Sequence, residues 1–561
     1  MAAGIDAETL EVVLDSLRDF AKQNFPPEVL LEFDARDEMP VAQVREMCGP
    51  ELGIQLLFVP EAYGGLGGGA FDTYRCCEEL ARIDVGVATG VLATLLGSDP
   101  IRVGGSEEQK SRWLGRIAEE GILMAYGATE PEAGSDLAAL RTTATPVEED
   151  GRVTGYRLSG RKQWISNGGQ AEVATILANA PGGPSWFVIE AGCEGFGHER
   201  PEDKHGIRLS NTAALTLDDA LVPAENLVGG VEGQGLQQAL AVFGYTRLMV
   251  AAFGVGAGWS ALDRAIEYST ERIQGGAPLS EKQAYTHKLI VPHAVALETG
   301  RAYIEETASG LDAVENPEGQ LITEGAIAKY LSTEAGNAAA DASIQALGGY
   351  GYTREYLVEK IRRDVRITTI YEGTSEIMEM SVARDRWQLH LKTRGQHYRD
   401  QADALAALET ASPGCGGAVA ALAARALAEV FECARVGRLT RNQHVLFRLG
   451  ELAARSEGAA SLVRRASAAA KGDLPEKADR RFAPPVLAAM ARVSAREALL
   501  AVASGGLRWV AGSDGGAADL ASKLGLARLD EAQRGLVEDM DFIADALYQR
   551  DGTARGTEEA R

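Results

Sequence analysis

The sequence predicts an α+β chain that is mainly α: an N-terminal helical domain over residues 1–121, a central antiparallel β domain over 122–231, a C-terminal helical bundle over 232–394 and an extra helical domain over 395–561. Three observations carry this. Apolar residues recur at helical spacing in the first stretch and again after about Asn226. Between Leu123 and Asn226 the texture switches to short alternating, β-branched runs cut by Gly, Pro and Asn. Beyond about Gln401 the chain becomes alanine-rich and amphipathic.

In chain order, "AETLEVVLDSLRDFAKQNF" reads as an amphipathic helix, and "FDTYRCCEELARIDVGVATGVLATLLGS" as two buried helices separated near Asp84. The glycines and Pro60 of "FVPEAYGGLGGGAF" mark a loop between them. The runs "RVTGYRLSGRKQWISN", "EVATILANA", "SWFVIEAG" and "TAALTLDDALV" fit one small barrel or sandwich. "GLQQALAVFGYTRLMVAAFGVGAGWSALDRAIEYSTERI" reads as two long helices, with further helices from Tyr285 to about Gln396. "GAVAALAARALAEVFECARVG" and "PPVLAAMARVSAREALLAVASGGLRWV" typify the separate helical tail, and the terminal "DGTARGTEEAR" reads as a frayed end.

Composition narrows the function classes. The 561 residues, 45% hydrophobic and 24% charged, carry a formal net charge of −24, which opposes general nucleic-acid binding because phosphate neutralisation needs clustered Lys and Arg. The six cysteines lack CxxC spacing and read as reduced and structural. The N-terminus lacks a basic region followed by an apolar core, and no run of 18 apolar residues occurs, so a cytoplasmic protein is the expectation. HExxH and GxSxG are absent, which removes most of the case for metal or serine hydrolysis. "GVGAGW" at Gly254 lies inside a helical run with no strand before it, so close helix packing explains it better than a dinucleotide fingerprint. "GGLGGG" at Gly64 likewise lacks the context of a phosphate loop.

Three separated blocks then fall into line. "YGATEPEAGSDLAA", Tyr126 to Ala139, is a turn of small and hydroxyl residues whose backbone could approach a flat cofactor, although alone it reads as an ordinary polar loop. "KQWISNGGQA", Lys162 to Ala171, sets an aromatic beside a small hydroxyl; alone, Trp164 would read as core. "QALGGYGYTREYLVEKIRRD", Gln345 to Asp364, has a glycine core that permits a turn no bulky residue could make.

Over roughly residues 5 to 390 these blocks resemble the acyl-CoA dehydrogenase family of flavoproteins. The resemblance implies FAD as cofactor, a middle β-barrel domain and a C-terminal four-helix bundle. It puts Trp164 against the isoalloxazine ring with Ile165 beside it, Ser166 near flavin N5, and Tyr126, Thr129 and Ser135 among the cofactor contacts. It assigns Gln345, Gly348 and Gly349 to the ADP half of FAD bound to a neighbouring subunit. "ERIQGGAPLSEKQ" resembles the companion segment through Arg272 and Gln283, with Gly275 and Lys282 where aromatics are common.

"IYEGTSEI" matches the family's catalytic segment and sets Glu372 on the general base. The task is to take a weakly acidic α-proton from an acyl thioester while the β-carbon gives hydride to the flavin, which calls for a carboxylate in a desolvated site. Tyr371 and Gly373 inherit substrate contacts, Thr374 and Glu376 cofactor contacts, with Gln common at the last. Some family members carry the base on the helix that here reads "FGYTRLMVAA"; the matching residue is Thr246, which cannot serve. Arg247 and Ser135 resemble groups that hold coenzyme A, and as a bland alternative Arg247 caps or pairs within the fold.

The implied activity is FAD-dependent dehydrogenation of an acyl-CoA to a trans-2-enoyl-CoA, with electrons passed to an electron-transfer flavoprotein. Rivals are an acyl-CoA oxidase, a lyase such as a desulfinase on the same fold, and a non-catalytic binding or scaffold protein. Ala88, Thr89 and Leu92 on the family's pocket-floor helix favour an apolar acyl chain of medium or greater length. The tail resembles in placement the extension of the very-long-chain branch, which implies a homodimer where others form a homotetramer. Its segment 425–481 carries twelve Lys/Arg against seven Asp/Glu, which suggests peripheral contact with an anionic membrane or a partner, or a plain solvated face.

Overall fold

The computed structural model describes residues 4–513, 520–524 and 526–550; the "DGTARGTEEAR" segment lies outside them. The chain forms two compact units, one of residues 1–249, 308–322 and 363–367, the other of 250–307, 323–362 and 368–561.

The first unit opens on helix Ala7–Asn24, started by Asp6, whose carboxylate accepts from Thr9 N at 2.8 Å, and burying Leu10, Leu14, Leu17 and Phe20 at helical spacing. The expected break falls on Asp84, which ends Ala70–Ile83 and caps Val85–Gly104 by accepting from the Gly86 and Val87 amides. Val85–Gly104 is buried nearly all round, which explains its lack of a polar face.

The sheet then follows, with strands β1 (Met124–Gly127), β2 (Thr143–Glu149), β3 (Arg152–Ser166), β4 (Val173–Ala180), β5 (Gly183–Glu190), β6 (Phe196–His198) and β7 (Thr212–Pro223). Its order is β1-β4-β2-β3-β7-β6, with β5 on the other ladder of β4. The sequence leads one to expect antiparallel pairing throughout, and most ladders are antiparallel; the difference is that β1 and β2 each meet β4 in parallel, making the sheet mixed. Alternation of side chains reports which face is buried and is blind to strand direction. One face packs around Trp113 and Trp186, the other around Tyr156, Phe187 and Leu215.

The stretch read as two long helices is one, Gly235–Glu271. Its glycines are contact points, as expected of "GVGAGW": a Cβ on Gly254 would stand 2.4 Å from Ser332 O, and one on Gly336 2.2 Å from Gly254 O. The helix gives up propensity there and gains backbone-to-backbone approach within the second unit. "GVGAGW" is therefore a packing motif. The helix is also long and apolar enough to cross a membrane, yet its apolar window is mostly buried inside the fold.

The second unit continues through Val291–Asp312, Ile322–Leu347 and Ser375–Lys392, and the extension supplies Gln396–Ala411, Gly417–Val436, Gln443–Lys471, Pro484–Gly505 and Leu536–Leu547. Part of the basic excess in the extension is engaged in ion pairs. Arg425 faces Asp403, Arg448 faces Glu379 and Glu451, Arg464 faces Glu306, Arg465 faces Glu305 and Arg481 faces Asp263. Charge tied up in this way is less available to an anionic surface.

Candidate active site

In the first unit, the loop after β1 is held closed by one buried carboxylate. Glu130 accepts from Arg141 N at 2.5 Å, Thr142 N at 3.0 Å and Lys162 Nζ at 2.7 Å. Lys162 is fully buried on β3 and also donates to Ala128 O at 3.2 Å. Burial pushes the Lys162 ammonium down to about 8, partly offset by Glu130; burial would raise Glu130, but Lys162 and the hydrogen bonds hold it below the ordinary carboxylate range. Neither member of this pair was picked out from the sequence as a site residue. The signal was a Lys and a Glu inside the two quoted blocks.

The pair clamps the loop onto the segment that carries Trp164. Gln163 N donates to Thr129 O at 2.9 Å, and the register of β3 against β7 shifts between Lys162 and Ile165. At this bulge Trp164 takes φ 58°, a left-handed conformation unusual for a bulky residue, while Gln163 and Ile165 on either side are buried. The result is an indole 60% exposed on a rigid frame. Strain of this sort costs on the order of 1–3 kcal/mol and persists where the surroundings impose it. Ser166 pairs with Thr212, and Asn167 anchors the turn by donating to Gly90 O at 2.8 Å. Ser135 is exposed on the loop, and Tyr126 packs its ring 4.7 Å from that of Trp186.

Arg247 is buried, its guanidinium 4.8 Å from the Phe243 ring centre and Nη1 donating to Ile322 O at 3.3 Å. That is the packing environment of the bland alternative. Thr246 beside it is fully buried.

In the second unit, the "IYEGTSEI" segment forms a tight turn. Glu372 has φ 53° and Gly373 φ 94°, and Thr374 then caps helix Ser375–Lys392 by accepting from Ile377 N at 3.3 Å. Consecutive left-handed residues turn the chain so that Glu372 stands on the turn itself, half-buried, with Tyr371 and Gly373 half-buried beside it and Glu376 exposed on the helix. Lys329, fully buried on Ile322–Leu347, holds the turn from beneath by donating to Thr368 O at 2.9 Å and Gly373 O at 2.7 Å. Sequence reading missed Lys329; a lone lysine in the apolar run "GAIAKYL" was the trace it left.

The same unit holds a cleft of about 500 Å³, lined by Tyr268, Arg272, Gln274, Leu279, Ala346 to Tyr350 and Thr353. Gly348 has φ 63°, and nothing lies within 4 Å of where a Cβ would stand on Gly348 or Gly349. Arg272 sits 5.8 Å from the Tyr350 ring centre, and Tyr268 and Tyr356 flank the same ring at 6.2 and 5.5 Å. Bare backbone, an arginine and exposed aromatic faces suit the phosphates and base of a nucleotide. The exposed indole of Trp164 suits a flat ring in the same way, so the residues present fit FAD.

Of the expected cofactor residues, Arg272, Gly348 and Gly349 line this cleft, and Gln345 is exposed next to it. Gln283 is not in its wall: its amide donates to Asp541 Oδ1 at 2.9 Å, a partner in the extension that no local sequence pattern could reveal.

Three family models match the chain in succession: acyl-CoA dehydrogenase N-terminal domain over residues 7–121, middle domain over 125–220 and C-terminal domain over 233–386. The acyl-CoA dehydrogenase of Bacillus subtilis (strain 168) is 35% identical over 376 residues, covering 66% of this chain and 95% of that one. The short-chain-specific acyl-CoA dehydrogenase of Megasphaera elsdenii is 36% identical over 372 residues, covering 64% and 94%. Among solved structures, an acyl-CoA dehydrogenase complexed with FAD from Bacillus anthracis aligns with a TM-score of 0.83 at 25% identity, covering 97% of this chain and 95% of that one. The first two matches take in about two thirds of the present chain, whereas the third spans the extension as well.

Proposed function

Because the chain belongs to the acyl-CoA dehydrogenase family, we propose that it is the FAD-dependent enzyme that converts an acyl-CoA to its trans-2-enoyl-CoA with Glu372 as the base. The observation that carries this is the Glu372–Gly373 turn, a half-buried carboxylate on a left-handed pivot that buried Lys329 secures through two carbonyls. FAD, when bound, supplies the acceptor for the electron pair that leaves the β-carbon.

Everything else falls to the chain. Glu372 takes the α-proton from its place on the turn that leads into helix Ser375–Lys392. Gly373 keeps the approach open, and Tyr371 borders it. Ser135 is assigned to the coenzyme A portion, while buried Arg247, turned onto Phe243 and Ile322 O, keeps a packing role; Thr129, Ile165, Ser166, Thr374 and Glu376 are assigned to the cofactor, and Trp164 to covering the flavin ring. Ala88, Thr89 and Leu92 on Val85–Gly104 are buried and uncharged, and the Thr89 hydroxyl is spent on Val85 O at 2.7 Å, which supports an apolar acyl group. Electrons leave to an electron-transfer flavoprotein, and the cleft at Gly348 takes the ADP half of FAD from the second subunit of a homodimer.

Anaerobic titration with acyl-CoAs from propionyl to palmitoyl is the test: bleaching of the flavin by an apolar acyl-CoA is expected. A yellow protein that no thioester bleaches would overturn the reading, and stoichiometric peroxide in air would make it an oxidase. Trp164→Ala should in addition speed the reaction of reduced flavin with oxygen or loosen FAD, read as peroxide formation and as FAD lost on gel filtration.

A further inference from the structure

Gln283, His287 and Tyr285 lie on one short helix, Gln283–Leu289, that joins two parts of the second unit. On one side it meets the extension. Asp541, on helix Leu536–Leu547, accepts from Gln283 Nε2 at 2.9 Å, and His287 Nε2 lies 3.2 Å from the same oxygen. On the other side Tyr285 OH donates to Ala346 O at 3.2 Å, at the base of the "GGYG" wall of the cleft.

Two more ties run from the chain after that helix to the same region. Tyr548 OH lies 2.8 Å from Ser269 Oγ, and Arg550 Nη2 donates to Ser280 O at 2.5 Å. Ser269 and Ser280 bracket the segment that brings Arg272, Gln274 and Leu279 into the cleft. That segment is poorly able to hold itself: its β8 (Ile273–Gln274) and β9 (Ala277–Pro278) are two residues each, joined by Gly275 and Gly276 at φ 57° and 83°. An isolated hairpin of this size is at best marginally stable in water. Its order must come from what braces it.

We propose that residues 536–550 are a positioning clamp for the nucleotide half of FAD, acting through Asp541 on Gln283 and through Tyr548 and Arg550 on the Arg272 hairpin. This rests on the reading of the Gly348 cleft as a nucleotide site. The extension then contributes to cofactor affinity without touching the cofactor. Asp541 is half-exposed, so its replacement should not disturb a core.

The test is FAD retention by purified full-length protein and rebinding of FAD to its apoprotein, followed by flavin fluorescence well below the unfolding temperature. Asp541→Ala is expected to weaken FAD binding about tenfold, the order of one charge-assisted hydrogen bond. Tyr548→Phe should weaken it less. Gln283→Ala should weaken it no more than Asp541→Ala, which also loses the contact with His287, and the double variant should be no worse than Asp541→Ala alone. A merely structural Asp541 would lower the melting temperature and leave FAD affinity unchanged, which would overturn the clamp. So would additive losses in the double variant. If the unaltered chain itself bound no FAD, the cofactor reading would fall with it; tight FAD binding by every variant would overturn the clamp alone.

Discussion

Replacing Glu372 by Gln is expected to leave FAD and acyl-CoA binding intact while slowing anaerobic flavin reduction by about 10² to 10⁴-fold, the usual worth of one general base. Gln keeps the size of the side chain and can occupy the same left-handed turn, so the Lys329 bonds to Thr368 O and Gly373 O should survive. Only the proton acceptor goes. The measurement is stopped-flow bleaching under anaerobic conditions, with acyl-CoA affinity taken separately from the spectral shift on binding. Reduction within a few-fold of the unaltered enzyme would remove Glu372 from the reaction, and Thr246 at the alternative position has no basic group to replace it.

The second large effect is on stability. Glu457, buried on helix Gln443–Lys471, accepts from Arg386 Nε and Nη2 at 2.8 Å each, from Tyr398 OH at 2.9 Å and from Tyr303 OH at 3.1 Å. Those four residues lie on four helices, two from the family-matched part and two from the extension. Arg386 also reaches Glu324 and Asp385, at 2.8 and 2.7 Å. Glu457→Gln removes the central charge and leaves a buried guanidinium less well compensated, at a cost of about 3 kcal/mol. Calorimetry and limited proteolysis of the extension would show it as a lowered transition and earlier cleavage. Replacing the pair together, Arg386→Met with Glu457→Leu, should recover much of the loss. An unchanged transition in Glu457→Gln would mean that the network does not hold the extension.

Acid should weaken the same latch. Burial alone would raise the Glu457 carboxyl, but Arg386 and the two phenols win and hold it below the ordinary carboxylate range. A carboxyl depressed in the folded state binds fewer protons there than when unfolded, so its contribution is complete above the ordinary range and is lost as pH falls through the depressed value. A falling transition temperature in that acid window, smaller in Glu457→Gln, is the expected signature.

Much of the architecture could be read from local chemistry. Asp84 ends one helix and starts the next because its short carboxylate satisfies amides that a helix start leaves open. Thr374 does the same for the helix after Glu372. The bulge at Trp164 was not visible, because nothing in "RKQWISN" says that β3 will carry one extra residue against β7 there. The glycines of "GVGAGW" were legible as helix packing, yet that one unbroken helix, Gly235–Glu271, runs through them shows only where they meet the backbones of Ser332 and Gly336.

The division follows range. Helix starts, turn glycines and strand alternation depend on residues within a few positions of one another, so their physics is written in adjacent letters. Lys329 under the Glu372–Gly373 turn, Glu130 against Lys162, Arg247 turned onto Phe243 and Gln283 held by Asp541 were settled by folding. In the first three a buried polar group needed a partner, whereas Gln283 and Asp541 meet at the surface; in all four, which distant residue supplied the partner depended on how the chain packed.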